Sequence, residues 1–266
     1  MGDVAALRSR LAELDRVVVA FSGGADSAFL AWTARQVLGP DHVLAVTALS
    51  PSLAPEELED CRALVAEWDL PWRGVETDEL ADPAYTANDG ERCFHCKTAL
   101  MDVLEPIAAA RGGAAVALGV NVDDLGEHRP GQRAAAGRGA VFPLVDAGFT
   151  KSEIREESRK AGLRTWDKPA AACLSSRVPY GTAVTLGVLR SVAEAESGLR
   201  ALGFRQLRVR HYGDLARVEL EGGDLARAVE RRAEVVAAVR RAGYRYVTLD
   251  LEGFRSGNLN AVLEER

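Results

Sequence analysis

Residues 17–21 form an unbroken apolar run, Val-Val-Val-Ala-Phe, with no polar position to face water. Such a run is expected of a strand buried on both faces, as in a parallel sheet. A glycine-containing turn follows at 22–26. Helical spacing then runs over 28–38, where Gly39-Pro40 stops it. The alternation repeats: residues 42–48, 72–77 and 114–120 read as further strands, and 55–68 and 96–111 as helices. The first of these helices carries acidic residues in its opening turn, where the helix dipole favours them. Strands alternating with helices predict an α/β fold, a Rossmann-like parallel sheet wrapped on both faces.

From 121 to 143 the pattern turns polar and glycine-rich, which predicts a loop with short helical pieces. A helix resumes over 150–161, with Thr150 as N-cap and Glu153 completing a capping box. Residues 166–181 form a proline-flanked loop rich in reactive side chains, and long loops in compact domains are often functional. Beyond 182 the character changes. A helix over 185–202 precedes short alternating strands at 206–211 and 216–221 around Gly213-Asp214, then a helix at 225–242 and a strand at 246–251. The expectation is a domain at 1–182 and a small α+β domain at 183–266 for substrate binding or oligomerisation.

Composition narrows the classes. A 47% hydrophobic content over 266 residues is enough for an ordinary packed core. No apolar stretch approaches ~20 residues, so no membrane span is expected. The first ten residues lack the apolar run of a secretory signal, and a cytoplasmic protein is the expectation. Acidic residues number 39 and basic residues 33, a net charge of −6. A partner for long nucleic acid usually carries a basic surface, so no such partner is expected, although a local arginine patch can sit on an acidic protein. The four cysteines, Cys61, Cys93, Cys96 and Cys173, are not expected to form structural disulfides in a reducing compartment.

The candidate chemistry starts at Ser22-Gly23-Gly24-Ala25-Asp26-Ser27, between a buried strand and a helix. The glycines permit a tight turn and close backbone approach. Amides at the helix start favour an anion, and the Ser22 and Ser27 hydroxyls add donors. This is a cradle for phosphates, with Asp26 a candidate carboxylate for nucleotide binding and catalysis. It is not a Walker loop, since no Gly-Lys-Ser/Thr follows the strand. At the end of the fourth strand, Asn121, Asp123 and Asp124 would face the same crevice, because ligands of open parallel sheets bind beyond the strands' carboxyl ends. A carboxylate there could hold magnesium or a ribose hydroxyl, or close an Asx turn. Arg129 and Arg133 could serve anionic groups, or be solvated surface. Cys93-Phe94-His95-Cys96 is a CxxC, suited to a zinc half-site, a redox pair or a cluster half-site. Cys61 reads as a small buried apolar residue. Cys173, near Arg177 and Lys168 in sequence, is expected to act readily as thiolate.

The phosphate loop resembles that of the PP-loop ATP pyrophosphatases. Together with Arg92-Cys93-Phe94-His95-Cys96-Lys97 and with Pro169 through Gly181, the chain resembles the LarE family of ATP-dependent sacrificial sulfur transferases. Gly119 to Asp124, Arg129-Pro130-Gly131 and Arg208-Val209-Arg210-His211 add to the likeness. The resemblance implies ATP and magnesium, and a pyridinium mononucleotide bearing two carboxylates as substrate, in the making of a nickel-pincer nucleotide. A carboxylate is adenylylated, and sulfur then replaces AMP, the thiolate acting as nucleophile.

Two family routes fit. In one, Cys173 gives up its own sulfur and becomes dehydroalanine. In the other, Cys93, Cys96 and Cys173 hold a [4Fe–4S] cluster whose open iron carries an added sulfide; this chain has the matching three cysteines, which favours the cluster. Zinc with His95 or His128 as fourth ligand is a lesser reading. The resemblance further implies that Arg208 and Arg210 bind the substrate phosphate, for which arginine is well suited; paired charges on a solvent-facing strand are the alternative. Glu196 matches an acidic, metal-binding position, against a plain helix-surface glutamate. Ser176 and Arg177 orient substrate or AMP, or structure the loop. A homo-oligomer is expected. The rivals are a PP-loop tRNA thiolase and a non-catalytic adenine-nucleotide sensor.

Overall fold

The structure, a computed structural model, describes residues 2–126, 130–169 and 172–255. In chain order the first elements are α1 (Val4–Glu13), β1 (Val17–Ala20), α2 (Ala25–Leu38), β2 (Val43–Leu49) and α3 (Pro55–Glu67). Then come β3 (Trp72–Glu76), α4 (Pro83–Thr86), α5 (Arg92–Ala110) and β4 (Ala115–Leu118). Three helices follow, α6 (Pro130–Ala136), α7 (Pro143–Asp146) and α8 (Lys151–Lys160). The remainder is α9 (Leu186–Ala201), β5 (Leu207–Tyr212), β6 (Leu215–Leu220), α10 (Leu225–Glu230), α11 (Arg232–Arg241) and β7 (Tyr246–Leu249). The chain divides into two compact units, one of residues 1–79 and 93–171, the other of 80–92 and 172–266.

In the first unit the sheet is wholly parallel, ordered β3-β2-β1-β4, and Ala117 makes a further parallel bridge to Val141. The apolar run of β1 lies at its centre. Side chains alternate across a strand. Val17 and Val19 therefore pack with Leu7 and Leu11 of α1, Phe29 and Leu30 of α2, Leu64 of α3 and Ile154 of α8. Val18 faces the other way, against Val46, Met101 and Leu104 of α5, and Val116 and Leu118 of β4. Each such fully buried side chain is worth about 1.5–3 kcal/mol by area. Two cores on the two faces fix β1, and with it the loop that leaves its carboxyl end.

The second unit has a smaller sheet in which β6 pairs antiparallel with β5 and parallel with β7. One face packs on α9 and α11 through Leu199, Val209, Val218, Val235 and Val239.

The elements depart from the sequence expectation at several points, among them the unpredicted short helix α4 and three larger differences. The chain opens with a helix, α1, capped by Asp3; its short apolar stripe is interrupted by charged residues. α5 begins at Arg92 rather than 96, which draws the CxxC into a helical turn. The expected helix over 225–242 is two helices, because Arg231 leaves helical geometry with ψ 24°. Its guanidinium is held there by the Leu202 carbonyl and the Glu234 carboxylate. Among the described residues no helix is long and apolar enough to cross a membrane.

Candidate functional site

The phosphate loop leaves the carboxyl end of β1 and enters α2 at Gly24, the N-cap. No side chain bonds that cap, so the amides opening α2 are left for another acceptor. The Ser27 hydroxyl accepts from the Ser22 amide at 3.2 Å and donates to the Gly24 carbonyl at 3.2 Å. The two serine hydroxyls lie 3.1 Å apart. Two glycines are required here by contact. Gly23 has φ +68°, and a Cβ on it would stand 2.8 Å from the sulfur of buried Cys61. A Cβ on Gly119 would meet the Ser27 backbone nitrogen at 2.7 Å, so its absence lets the end of β4 approach the loop.

Asp26 is the electrostatic centre of this end of the sheet. Its Oδ2 accepts from the Asn121 side-chain amide at 3.3 Å, while its Oδ1 is buried with no partner among the described residues. Burial raises its pKa, and the nearby Asp124 carboxylate adds to that, against the opposing influence of Lys151 and Arg155. Asn121 is wholly buried and also closes a turn, its carbonyl and side chain accepting from the Asp124 amide at 3.2 and 3.3 Å. The turn reading of Asn121 is therefore realised, and its side-chain amide also reaches Asp26. Asp123 serves a different purpose: it accepts from the Lys151 amide at 2.8 Å at the start of α8. A magnesium ion fits this set. A buried carboxylate oxygen without a partner, beside a second carboxylate, is the hard oxygen environment that ion takes. Arg129 and His128 lie outside the described residues. Arg133 stacks over the Phe94 ring at 5.6 Å.

Sequence reasoning missed two cations of this site, Lys151 and Arg155. They stand four apart on α8, on one helical face toward Asp26. The signal was present, since the capping box places both in the first turns of a helix. It also misplaced Lys168. Adjacency in sequence suggested a role at Cys173, but its ammonium donates to the Gly23 carbonyl at 3.1 Å and pairs with Asp60 and, at 2.8 Å, with Glu57 of α3. Burial opposes its charge, yet these two carboxylates raise its pKa. Lys168 thus ties the phosphate loop to α3. Cys61 beneath is wholly buried, its thiol pushed up to about 11 by burial, and is no nucleophile at neutral pH.

Cys93 is exposed and Cys96 half-buried, three apart in the first turn of α5. That spacing puts both thiols on one side of the helix, which fits one half of a cluster site. Cys173 belongs to the second unit. Among the described residues no three His, Cys, Asp or Glu side chains gather as for a metal ion.

In the second unit, Cys173 is exposed at the head of a single 3-10 turn, Leu174–Arg177. Its carbonyl accepts from the Ser176 amide at 2.9 Å, the Ser176 hydroxyl at 2.7 Å and Arg177 Nη1 at 2.9 Å. Arg177 is buried and bidentate to Glu196, with Nε at 2.8 Å and Nη2 at 3.1 Å. Its charge is neutralised there rather than directed at the thiol, contrary to the expectation from sequence. In this structure Arg177 orders the loop.

Glu196 is not a helix-surface residue. It is wholly buried on α9, accepting also from Arg200 at 2.9 Å and the Val209 amide at 3.1 Å. Burial opposes its charge, but Arg177 and then Arg200 hold its pKa below the ordinary value. These donors occupy both oxygens, so the carboxylate is an ion-pair anchor here and not a metal ligand.

Arg208 and Arg210 alternate on β5, yet that side does not face solvent. Arg210 is buried, donating to Glu219 at 2.8 Å and the Ser176 carbonyl at 2.8 Å. Arg208 stacks on the Phe254 ring at 4.9 Å. Its pKa falls to about 10, through burial first and then the neighbouring Arg177, Arg210 and Arg200.

With the geometry described, the chain can be set beside known proteins. Residues 4–95 match the family model described as NAD synthase. A protein of Lactiplantibacillus plantarum, pyridinium-3,5-bisthiocarboxylic acid mononucleotide synthase, is 39% identical over 97% of this chain and 94% of its own length. An uncharacterised protein of Synechocystis is 48% identical over 97% of this chain and 96% of its own length. An uncharacterised protein of Methanocaldococcus jannaschii is 26% identical over 91% of each.

Proposed function

The chain belongs to the family of the pyridinium-3,5-bisthiocarboxylic acid mononucleotide synthase, and from that premise we propose that it is an ATP-dependent sulfur transferase. It adenylylates a carboxylate of a pyridinium biscarboxylic acid mononucleotide, releases pyrophosphate, and replaces AMP by sulfur to give a thiocarboxylate in nickel-pincer nucleotide synthesis. The observation that carries this reading is the open phosphate loop: uncapped amides at the start of α2 beside the unpartnered Asp26 oxygen.

The residues divide the work. Ser22 to Ser27 cradle the departing pyrophosphate, and Lys151 and Arg155 offset its growing charge. Gly23, Gly24 and Ser27 shape that cradle, while Asn121 and Asp124 set the orientation of Asp26. Asp26 would hold magnesium, which would supply charge neutralisation to the phosphate oxygens. Arg208 holds the phosphate of the substrate nucleotide, Arg210 braces it from its pair with Glu219, and Ser176 keeps the Cys173 backbone in place. A carboxylate has no good leaving group; the acyl-adenylate does, and a thiolate attacks its carbonyl carbon as the bond to AMP breaks.

The finer proposal for the sulfur source is a [4Fe–4S] cluster on Cys93, Cys96 and Cys173, supported by the presence of all three cysteines. Their three thiolates would hold it, and it would supply sulfur at the sulfide level. The alternative is Cys173 itself, supported by its exposed thiol on a fixed backbone. There the thioester formed with the substrate loses the Cys173 α-proton, the Cβ–S bond breaks, and thiocarboxylate and dehydroalanine result. We also propose a cytoplasmic homo-oligomer with the functional boundary near residue 182.

Incubation with ATP and the biscarboxylated nucleotide, followed by mass spectrometry of product and protein, tests these readings. Thiocarboxylate and AMP are expected, and Cys173→Ala should abolish the thiocarboxylate while ATP still binds. Iron and sulfide in anaerobically purified protein support the cluster. Iron-free protein that loses the mass of hydrogen sulfide at Cys173 in one turnover overturns it. Pyrophosphate release dependent on tRNA instead would identify a tRNA thiolase, and no release with any acceptor a nucleotide sensor.

A further inference from the structure

A segment far from Cys173 in sequence grips the loop that carries it. Residues 80–92, which run from after β3 to the first residue of α5, belong to the second unit together with the Cys173 loop. Asn88 is the centre of the grip. It is wholly buried and sits at φ +56°, a left-handed conformation in which asparagine is among the few tolerated residues. Its side-chain amide donates to the carbonyls of Val178 at 3.3 Å, Pro179 at 2.8 Å and Thr182 at 2.8 Å. Its backbone carbonyl accepts from the Gly181 amide at 3.0 Å. Its Oδ1 accepts from Arg92, and the same Arg92 nitrogen donates to the Ser175 carbonyl at 3.0 Å. Arg92 is buried and lies over the Tyr180 ring at 5.5 Å. Tyr85 and Ser175, both buried, join hydroxyls at 2.6 Å. The loop therefore has its carbonyls turned inward onto Asn88 and Arg92, two to nine residues beyond a thiol that stays exposed.

We propose that Asn88 and Arg92 are positioning residues for Cys173, holding the backbone of its loop so that sulfur reaches the activated carboxyl group before water does. The inference rests on the sulfur-transfer reading above. The bonds that Asn88 and Arg92 make to the Cys173 loop lie within the second unit, so adenylylation at the phosphate loop of the first unit should not need them. With the clamp lost, water attacks the acyl-adenylate carbonyl, the bond to AMP breaks, and the starting carboxylate and a proton are returned. ATP is then consumed without sulfur transfer.

The test compares Asn88→Gly, which keeps the left-handed backbone and deletes the amide, with Arg92→Lys, which keeps the charge and one donor. AMP and thiocarboxylate are counted in the same reaction. In Asn88→Gly, thiocarboxylate formed per AMP should fall by about 10- to 100-fold, with AMP formation close to wild type. Arg92→Lys should fall between the two. A variant that only folds less well loses both products in proportion, and that result, or unchanged coupling in a folded Asn88→Gly, overturns the proposal. A second arm needs no turnover: alkylation of Cys173 by iodoacetamide, read by peptide mass spectrometry against Cys93. Its rate should change several-fold in Asn88→Gly and not at Cys93. If wild type forms AMP but no thiocarboxylate, the sulfur-transfer reading fails, and the alkylation arm alone decides the clamp, an unchanged rate overturning it.

Discussion

Between Ser22 and Ser27 the amides that open α2 have no side-chain cap, and Asp26 keeps a buried oxygen without a partner. Between Cys173 and Arg177 the reverse holds: the Cys173 carbonyl alone takes three donors, and Arg177, Asn88 and Arg92 occupy the carbonyls around it. A buried polar group without a partner costs about 1–3 kcal/mol. The first loop carries that cost, and on the proposed function phosphate and a metal ion would relieve it. The second has little left to recover. Its backbone is ordered in advance, and the Cys173 thiol stays exposed. The contrast separates a loop with polar groups left open from a thiol whose backbone is fixed by its own fold.

The largest effect is expected where the second arrangement is anchored. Glu196→Gln leaves Arg177 without its carboxylate and should cost about 3–5 kcal/mol of folding stability, read by chemical denaturation. The pH dependence carries a sign. Glu196 titrates below its ordinary 4.5 in the folded chain. Its contribution is therefore complete above 4.5 and is lost as pH falls through the lower folded value. The gap between wild type and Glu196→Gln should narrow only in acid. A gap that stays constant down to strongly acidic pH would mean that the ion pair is not the anchor.

Asp26→Asn should act in the opposite sense on the two properties. Pyrophosphate release should fall by about 100-fold, the scale of losing one charge-stabilising group, while stability should rise at neutral pH. The stability sign follows from the raised pKa of Asp26, whose charged form is disfavoured in the folded chain. Equal losses of activity and stability would place Asp26 among the structural anchors and erase the contrast between the loops.

How far the sequence discloses these features depends on range. The parallel sheet is legible because each strand is a local apolar run, and the phosphate loop because glycine, serine and helix start are contiguous. The capping box at Thr150 and Glu153 is legible for the same reason. The partners that organise the Cys173 loop are not. Glu196 is 19 residues from Arg177, and Asn88 is one polar residue in an unpatterned stretch, about 90 positions from the carbonyls it holds. Lys168 misled because sequence adjacency pointed to Cys173, whereas folding brings it to α3. The start of α5 was set too late because Arg92 to His95 carry no apolar period.

The smallest effect tests the edge of the phosphate site. α8 presents Lys151 and Arg155 toward Asp26, and its start is held by Thr150, whose hydroxyl accepts from the Glu153 amide at 3.4 Å while Glu153 accepts from the Thr150 amide at 2.9 Å. Thr150→Ala removes one half of this box and should cost about 1 kcal/mol. Asp123 still accepts from the Lys151 amide at 2.8 Å, so the first turn should fray without unwinding. A 1 kcal/mol bias corresponds to about a fivefold shift in an equilibrium, which bounds the expected weakening of ATP binding measured by calorimetry. A much larger loss of ATP affinity with unchanged stability would mean that Thr150 touches the nucleotide directly. A loss of stability with unchanged affinity would mean that Lys151 and Arg155 do not depend on the helix start for their place beside Asp26.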